Sequence, residues 1–232
     1  MKKKVRRPFF VVNPKSYLYG EAILELAGKA DELALKYDID IFFTAQHVDL
    51  RAVKERAPHV IVTAQHMDGI TPGRGMGAIL PEAIAAAGAE ATFLNHIEHS
   101  MTVADLSAAL ARCRELDIIS IVCADSAAET AAVAAMHPDV IVCEPAALIG
   151  TGVTSGDAYM HETDSVVRAL SPETMVLQAS GISTGEDVYN AIVAGGADGT
   201  GATSGIVAKP DPIAALEEMI EAIARAREEI SK

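Results

Sequence analysis

Residues 118–144 read IISIVCADSAAETAAVAAMHPDVIVCE. Two short β-branched runs, 118–123 (IISIVC) and 139–144 (DVIVCE), flank an alanine-rich segment of helical length at 126–136. The runs are nearly continuous in apolar residues rather than alternating, which is the pattern of strands buried on both faces of a parallel sheet. Parallel neighbours need a crossover connection, and the segment between them is long enough to supply one. This strand–helix–strand unit recurs in both directions along the chain. Upstream strand candidates are 9–13 (FFVVN), 40–45 (DIFFTA), 59–65 (HVIVTAQ) and 91–95 (ATFLN). Downstream are 174–179 (TMVLQA) and 197–202 (ADGTGA), the last poor in strand-forming residues.

Helices are expected between them. The segment 20–36 places Ile23, Leu24, Ala27, Ala30 and Leu33 at helical spacing. Segment 102–116 has Val103, Leu106, Leu110 and Cys113 on one stripe, with Thr102 as its N-cap and Asp105 three residues on. Ser183 or Thr184 opens 184–194, and Asp211-Pro212 opens a last helix running to about Ile230. Shorter helices are expected at 49–57 and 81–87, with another at 157–170. Eight such units in 232 residues give about 29 residues each, near the minimum for a βαβ repeat. A dinucleotide-binding fold would place a Gly-x-Gly-x-x-Gly turn after the first strand, whereas this strand ends in Asn13-Pro14-Lys15. The fold class that fits is α/β, a closed eight-stranded parallel (β/α)8 barrel, with residues 1–232 as a single domain.

Composition narrows function. Half of the residues are apolar, enough for a large core, and 32 acidic against 19 basic residues give a net charge of −13. That sign argues against nucleic acid as a partner. The one basic run, within residues 1–7, is expected to be a solvated arm; the apolar stretch behind it ends at Asn13, too short for a secretory signal. No stretch approaches the ~18 apolar residues of a membrane span, so no membrane partner is expected. Cys113, Cys123 and Cys143 are odd in number and lack metal-binding spacing, which suits a reducing cytoplasm and no zinc site.

In barrels of this kind, chemistry gathers where strands end and βα loops begin. Those positions hold Asn13 and Lys15, Gln46 and His47, Gln65 and His66, then Asn95, His96 and Glu98. They continue with Glu144, with Ser180-Gly181-Ile182-Ser183, and with Thr203-Ser204-Gly205. A lysine, a histidine and a glutamate converging on one mouth form a proton-transfer set. The Gly/Ser loops after strands 7 and 8 are suited to offering backbone N–H groups to a phosphate. With no metal cluster or nucleotide motif, cofactor-free chemistry on a small phosphorylated molecule is the expectation.

These motifs resemble the triosephosphate isomerase family, most closely its short archaeal-type branch, over essentially the whole chain. The resemblance rests on Asn13-x-Lys15 and on Leu94-Asn95-His96 with Glu98. It rests also on Glu144-Pro145-Ala146-Ala147-Leu148-Ile149-Gly150-Thr151-Gly152, on Gly181 to Val188, and on Thr203-Ser204-Gly205. It implies an isomerase that interconverts a phosphorylated hydroxyketone and hydroxyaldehyde through an enediolate, without metal or organic cofactor. Glu144 would be the base, His96 a neutral imidazole polarising the carbonyl, and Lys15 the positive charge, with Asn13 a donor beside it. The segment from Pro145 to about Gly152 would be a lid that excludes water. Backbone groups near Ile149, Gly150, Gly181, Thr203 and Ser204 would hold the phosphate. Glu98 is expected to support these groups rather than react. His47, His66, His99, His137 and His161 have no partner pattern and are expected to be structural or surface residues. Met67, Met76 and Met101 are expected to pack, and Cys123 to be a buried structural residue.

Three positions depart from the family pattern: Pro14 between Asn13 and Lys15, Ile97 in place of the serine after the histidine, and Met76 in place of a threonine at the tip of loop 3. In the family that loop crosses to a neighbouring subunit, and here residues 66–80, with Ile70, Met76 and Ile79, suggest the same contact. A homodimer or homotetramer is therefore expected. Two alternatives stand beside the triose-phosphate reading: a paralogous aldose–ketose isomerase acting on another short phosphorylated sugar, and a non-catalytic phosphate-binding barrel. A Schiff-base aldolase fits less well, because strand 6 ends in Glu144 rather than lysine.

Overall fold

Strand and helix alternate throughout the computed structural model, which describes residues 2–145 and 156–232. The first half runs β1 (Phe9–Val12), α1 (Glu21–Tyr37), β2 (Ile41–Ala45), α2 (Leu50–Arg56), β3 (Ile61–Ala64), α3 (Pro81–Ala86), β4 (Ala91–Leu94) and α4 (Val103–Glu115). The second half runs β5 (Ile119–Ala124), α5 (Ala127–Ala134), β6 (Val140–Cys143), α6 (Asp157–Leu170), β7 (Met175–Gln178), α7 (Gly185–Val193), β8 (Gly199–Ala202), α8 (Ser204–Val207) and α9 (Pro212–Ile230). Each strand is parallel to its neighbours, and β8 pairs back onto β1 to close the barrel. The fold is the (β/α)8 barrel that the sequence pattern implies. Element ends are a residue or two shorter than the apolar runs. The four-residue α8 has no counterpart among the sequence expectations, because its SGIV is too short to show a period.

Two apolar layers hold the barrel. Side chains alternate across each strand, so Phe9, Val11, Phe42, Ile61, Phe93, Ile121, Val142 and Leu177 fill the interior. Phe10, Val12, Phe43, Val62, Leu94, Val122 and Val176 face the helices. The helix stripes complete that outer layer, with Ile23, Leu26 and Leu33 of α1 and Leu216, Met219, Ile220 and Ile223 of α9 fully buried. Expected caps are in place: Thr102 accepts from Asp105 N, Thr184 and Asp187 form a reciprocal capping box, and Asp211 accepts from Ala214 N.

The weak strand β8 is weak for a reason. Gly199 and Gly201 stand opposite Phe9 and Val11 in the β1–β8 register. A Cβ on Gly199 would lie 2.5 Å from the Phe9 ring, and one on Gly201 would lie 2.6 Å from Val11 O. Strand propensity yields here to space: the seam closes because β8 has no side chains where β1 has large ones.

The basic run at residues 2–7 is largely exposed, as a solvated arm would be, but ion pairs tie it down. Lys2 Nζ pairs with Asp139 at 2.8 Å, Lys3 Nζ with Glu90 at 4.0 Å, Arg6 with Asp40 at 2.5 Å, and Arg7 with Asp198 at 2.9 Å. Each acidic partner immediately precedes an even-numbered strand, so the segment lies across the N-terminal floor of the barrel. Val5 packs against the interior side chains there. Such half-exposed pairs contribute about 0–1 kcal/mol each, and their number makes the contribution noticeable.

Replacing Gly201 by alanine should lower stability by about 1–3 kcal/mol, because the added methyl must push the backbone of β1 aside. Urea unfolding measures this as a lower midpoint at unchanged slope. An unchanged midpoint would contradict this account of the seam.

Candidate active site

The alternation that builds the barrel also aims its polar ends. Interior positions on β1 are 9 and 11, so the next inward position is Asn13; on β6 they are 140 and 142, so the next is Glu144. Both side chains line a cavity of about 280 Å³ at the C-terminal mouth. Lys15, His96, Glu98, Gly181, Ile182, Ser183, Thr203 and Ser204 line it too. Strands 1, 4 and 6 thus bring the expected Asn13, Lys15, His96 and Glu144 to one space, with the loops after β7 and β8 opposite. Of the expected phosphate contacts, Gly181, Thr203 and Ser204 are at this cavity, whereas Ile149 and Gly150 lie outside the described residues. So does most of the expected lid, Ala146 to Gly152.

Lys15 is held by three contacts. Its backbone takes a positive φ of 46°, and its N–H donates to Asn13 Oδ1 at 3.1 Å. Its carbonyl accepts from Gln65 Nε2 at 2.7 Å, and its Nζ donates to Glu98 Oε1 at 2.8 Å. That last bond makes Glu98 the partner of Lys15, in keeping with a supporting role, and holds the Glu98 carboxyl below its usual range.

His96 accepts a hydrogen bond at Nδ1 from the backbone N–H of Glu98, 3.1 Å away. An imidazole nitrogen that accepts carries no proton, so the neutral ring bears its proton on Nε2. Burial, reinforced by the charge on Lys15, pushes His96 below its usual pKa, while Glu98 opposes. The 3.9 Å approach of Glu98 Oε2 to His96 Nδ1 is therefore not an ion pair at neutral pH. Glu144 is displaced the other way: burial raises its carboxyl above the usual range, Lys15 pulls it down, and Glu98 adds to the rise. The cavity holds a neutral acid–base donor, a carboxylate of raised basicity and an ammonium group, the set required to move a proton beside a carbonyl.

The loop after β7 is tied by Asp187. Its Oδ2 accepts from the backbone N–H groups of Ser183 at 3.0 Å and Thr184 at 2.9 Å, so these two point back into α7. Thr203 and Ser204, at the start of α8, stand beside Gly181. A Cβ on Gly205 would lie 2.3 Å from Ile182 O, so glycine lets the two loops meet. Ser183, named with the strand-end residues, lines the cavity as well.

Other expectations need correction. Met76 does not pack: it is fully exposed at the tip of loop 3, while Met67 is fully buried. Ile70 and Ile79 are half-buried, Ile79 against the chain's own core. His47 and His66 are structural and His99 is a surface residue, as expected, and the fold gives them partners. The His66 and His99 rings meet at a tilt with centroids 4.1 Å apart, His66 Nε2 lies 3.3 Å from Asp68 Oδ1, and His47 Nε2 lies 2.7 Å from His66 O. These three histidines share a second cavity of about 620 Å³ beside the first. They come from three different βα loops, which is why spacing along the chain did not reveal them. Among the described residues no group of three or more His, Cys, Asp or Glu could hold a metal ion. No described helix is long and apolar enough to cross a membrane.

Comparison with known proteins agrees with this geometry. The family model described as triosephosphate isomerase matches residues 8–218. The triosephosphate isomerase of Methanothermus fervidus is 38% identical over 219 residues, covering 92% of this chain and 98% of that one. That of Methanocaldococcus jannaschii is 38% identical over 218 residues, covering 92% and 99%. That of Sulfolobus acidocaldarius is 32% identical over 228 residues, covering 97% and 98%.

Because the Glu98 charge raises both His96 and Glu144, Glu98→Gln should lower both titration midpoints. In the wild type, NMR titration should place Glu144 above 4.5 and His96 below 6.5. Midpoints that rise or stay fixed in the variant would contradict this electrostatic account.

Proposed function

The chain belongs to the triosephosphate isomerase family, and on that premise we propose that it interconverts glyceraldehyde 3-phosphate and dihydroxyacetone phosphate by proton transfer through an enediolate. The observation that carries this reading is one cavity holding Glu144, His96 and Lys15, with the carboxylate raised and the imidazole lowered in pKa. Glu144 removes a proton from the carbon next to the carbonyl. His96 Nε2–H donates to the carbonyl oxygen as negative charge builds there, and Lys15 Nζ stabilises that charge. His96 Nε2 gives its proton to the former carbonyl oxygen and regains one from the neighbouring hydroxyl, and Glu144 returns the carbon proton to the neighbouring carbon, which completes the isomerisation. Asn13 orders Lys15 through its backbone. The phosphate is held by backbone groups at Gly181, Thr203 and Ser204, to which the sequence motif adds Ile149 and Gly150. The reaction uses the chain's own residues, with no cofactor or metal in the scheme. It is a step of glycolysis and gluconeogenesis, and residues 1–232 serve it as one domain in the cytoplasm. Three buried free thiols are in keeping with that location.

The partner is a further copy of the chain. Exposed large apolar side chains gather on the first four βα loops: Tyr17, Tyr19, Val48, Met76 and Ile97. Other residues of the same four loops line the cavity of about 620 Å³, whose wall includes the buried hydroxyl of Thr44, unpartnered among the described residues. Loop 3 of a second copy, led by Met76, fits this socket, and the assembly is a homodimer or homotetramer.

A coupled assay tests the reaction: the wild type should turn over both trioses, and Glu144→Gln should lower kcat about 10²–10⁴-fold. No turnover of either triose by the wild type would overturn the reading in favour of another phosphorylated ketose. Sedimentation tests the assembly: the wild type should be oligomeric at micromolar concentration, and Met76→Asp should shift it to monomer. A monomeric wild type would refute the loop-3 contact.

A further inference from the structure

The end of β4 carries an irregularity that bears on His96. Ala91 and Phe93 point into the barrel and Leu94 points to the helices, so simple alternation would send residue 95 inward and residue 96 away from the mouth. His96 nevertheless lines the mouth cavity. The alternation breaks at Asn95, which adopts φ 56° in the left-handed region. Asparagine tolerates that conformation better than most side-chain-bearing residues, and glycine tolerates it best.

The Asn95 side chain then does what a glycine could not. Its Nδ2 donates to the carbonyl of Cys123 on β5 at 3.1 Å, and its Oδ1 accepts from the backbone N–H of Met101 at 3.0 Å. One amide group thus ties the start of loop 4 to the neighbouring strand and to the loop's own return into α4. Between these ties the chain makes a tight turn, with His99 N donating to His96 O at 2.7 Å and Glu98 N to His96 Nδ1.

We propose that Asn95 is the positioning residue for His96: its left-handed backbone turns the imidazole into the mouth, and its two side-chain hydrogen bonds hold the 95–101 loop there. The inference rests on the catalytic reading of His96 and deepens it. Asn95 touches no substrate and acts through the loop.

Asn95→Gly tests it, because glycine keeps the left-handed backbone and deletes both bonds. The expected result is a fall in kcat of about ten- to a hundredfold, the scale set by small misplacements of a reacting group. KM should stay within about twofold, since the phosphate contacts lie on other loops. The NMR midpoint of His96 should rise, because loosening the turn weakens the Glu98 N–H bond that favours the neutral ring. Asn95→Asp keeps the acceptor for Met101 and loses the donor to Cys123, so it should show the same kcat loss should the glycine variant fold poorly. A kcat within about twofold of wild type in a folded variant, or a loss accompanied only by lower thermal stability and an unmoved His96 midpoint, would overturn the proposal. His96→Asn separates the two levels. Full turnover there would remove the catalytic role of His96 itself, whereas lost turnover there with unaffected Asn95→Gly removes only the inference drawn here.

Discussion

Closure of the sheet between β1 and β8 is the constraint from which the rest follows. A barrel of short strands has no stable edge to leave open, and its last pairing must form in register with the first. The seam sets Gly199 against Phe9 and Gly201 against Val11. Large interior side chains on β1 need an absence of side chains on β8, and that complementarity lets eight four- to six-residue strands enclose a packed core. Only when the ring is closed do strands 1, 4 and 6 end around one space, opposite the loops after strands 7 and 8.

The two ends of the barrel use charge differently. At the floor, Lys2, Lys3, Arg6 and Arg7 pair with acidic residues that precede even-numbered strands. Those pairs are partly solvated and serve to hold the leading segment down. At the mouth, burial does the work: it raises the Glu144 carboxyl and lowers the His96 imidazole, two groups of opposite charge response in one cavity. Lys15 lies between them electrostatically, lowering both, and Glu98 moderates Lys15 through a direct bond. A carboxylate made more basic and an imidazole kept neutral are the states that proton transfer beside a carbonyl requires.

The three departures from the family pattern fall around this centre rather than within it. Pro14 is buried in the turn between Asn13 and Lys15, and its carbonyl accepts from Tyr17 N at 3.0 Å. Ile97 is half-exposed on the turn that carries His96, and Met76 stands free at the tip of loop 3. Ile97 and Met76 put apolar surface where the family pattern has a serine and a threonine, whereas Pro14 is buried. Lys15 and His96 keep hydrogen bonds from within the chain.

Much of this protein was legible in the sequence. Apolar runs of strand length alternating with helical stripes determined the eight units, and the strand ends gave a list of polar residues from which the family resemblance picked out Asn13, Lys15, His96 and Glu144. Local physics suffices there, because burial on both faces demands continuous apolar strands and capping demands Thr102, Thr184 and Asp211. Other features depend on contacts between segments distant in the chain. The basic leading residues read as a solvated arm, and only the fold brings their partners at Glu90, Asp139 and Asp198 near. Met76 looked like packing until the loop placed it in the open. His66 and His99 are unremarkable in sequence, and their rings touch in space. Above all, the direction of the pKa shifts and the turn of Asn95 belong to the folded state, because desolvation, Coulomb terms and a left-handed residue's usefulness depend on what surrounds them. Sequence determined which groups stand at the mouth of the barrel; tertiary structure decided how they are aimed and charged, since those properties depend on distances no local pattern contains.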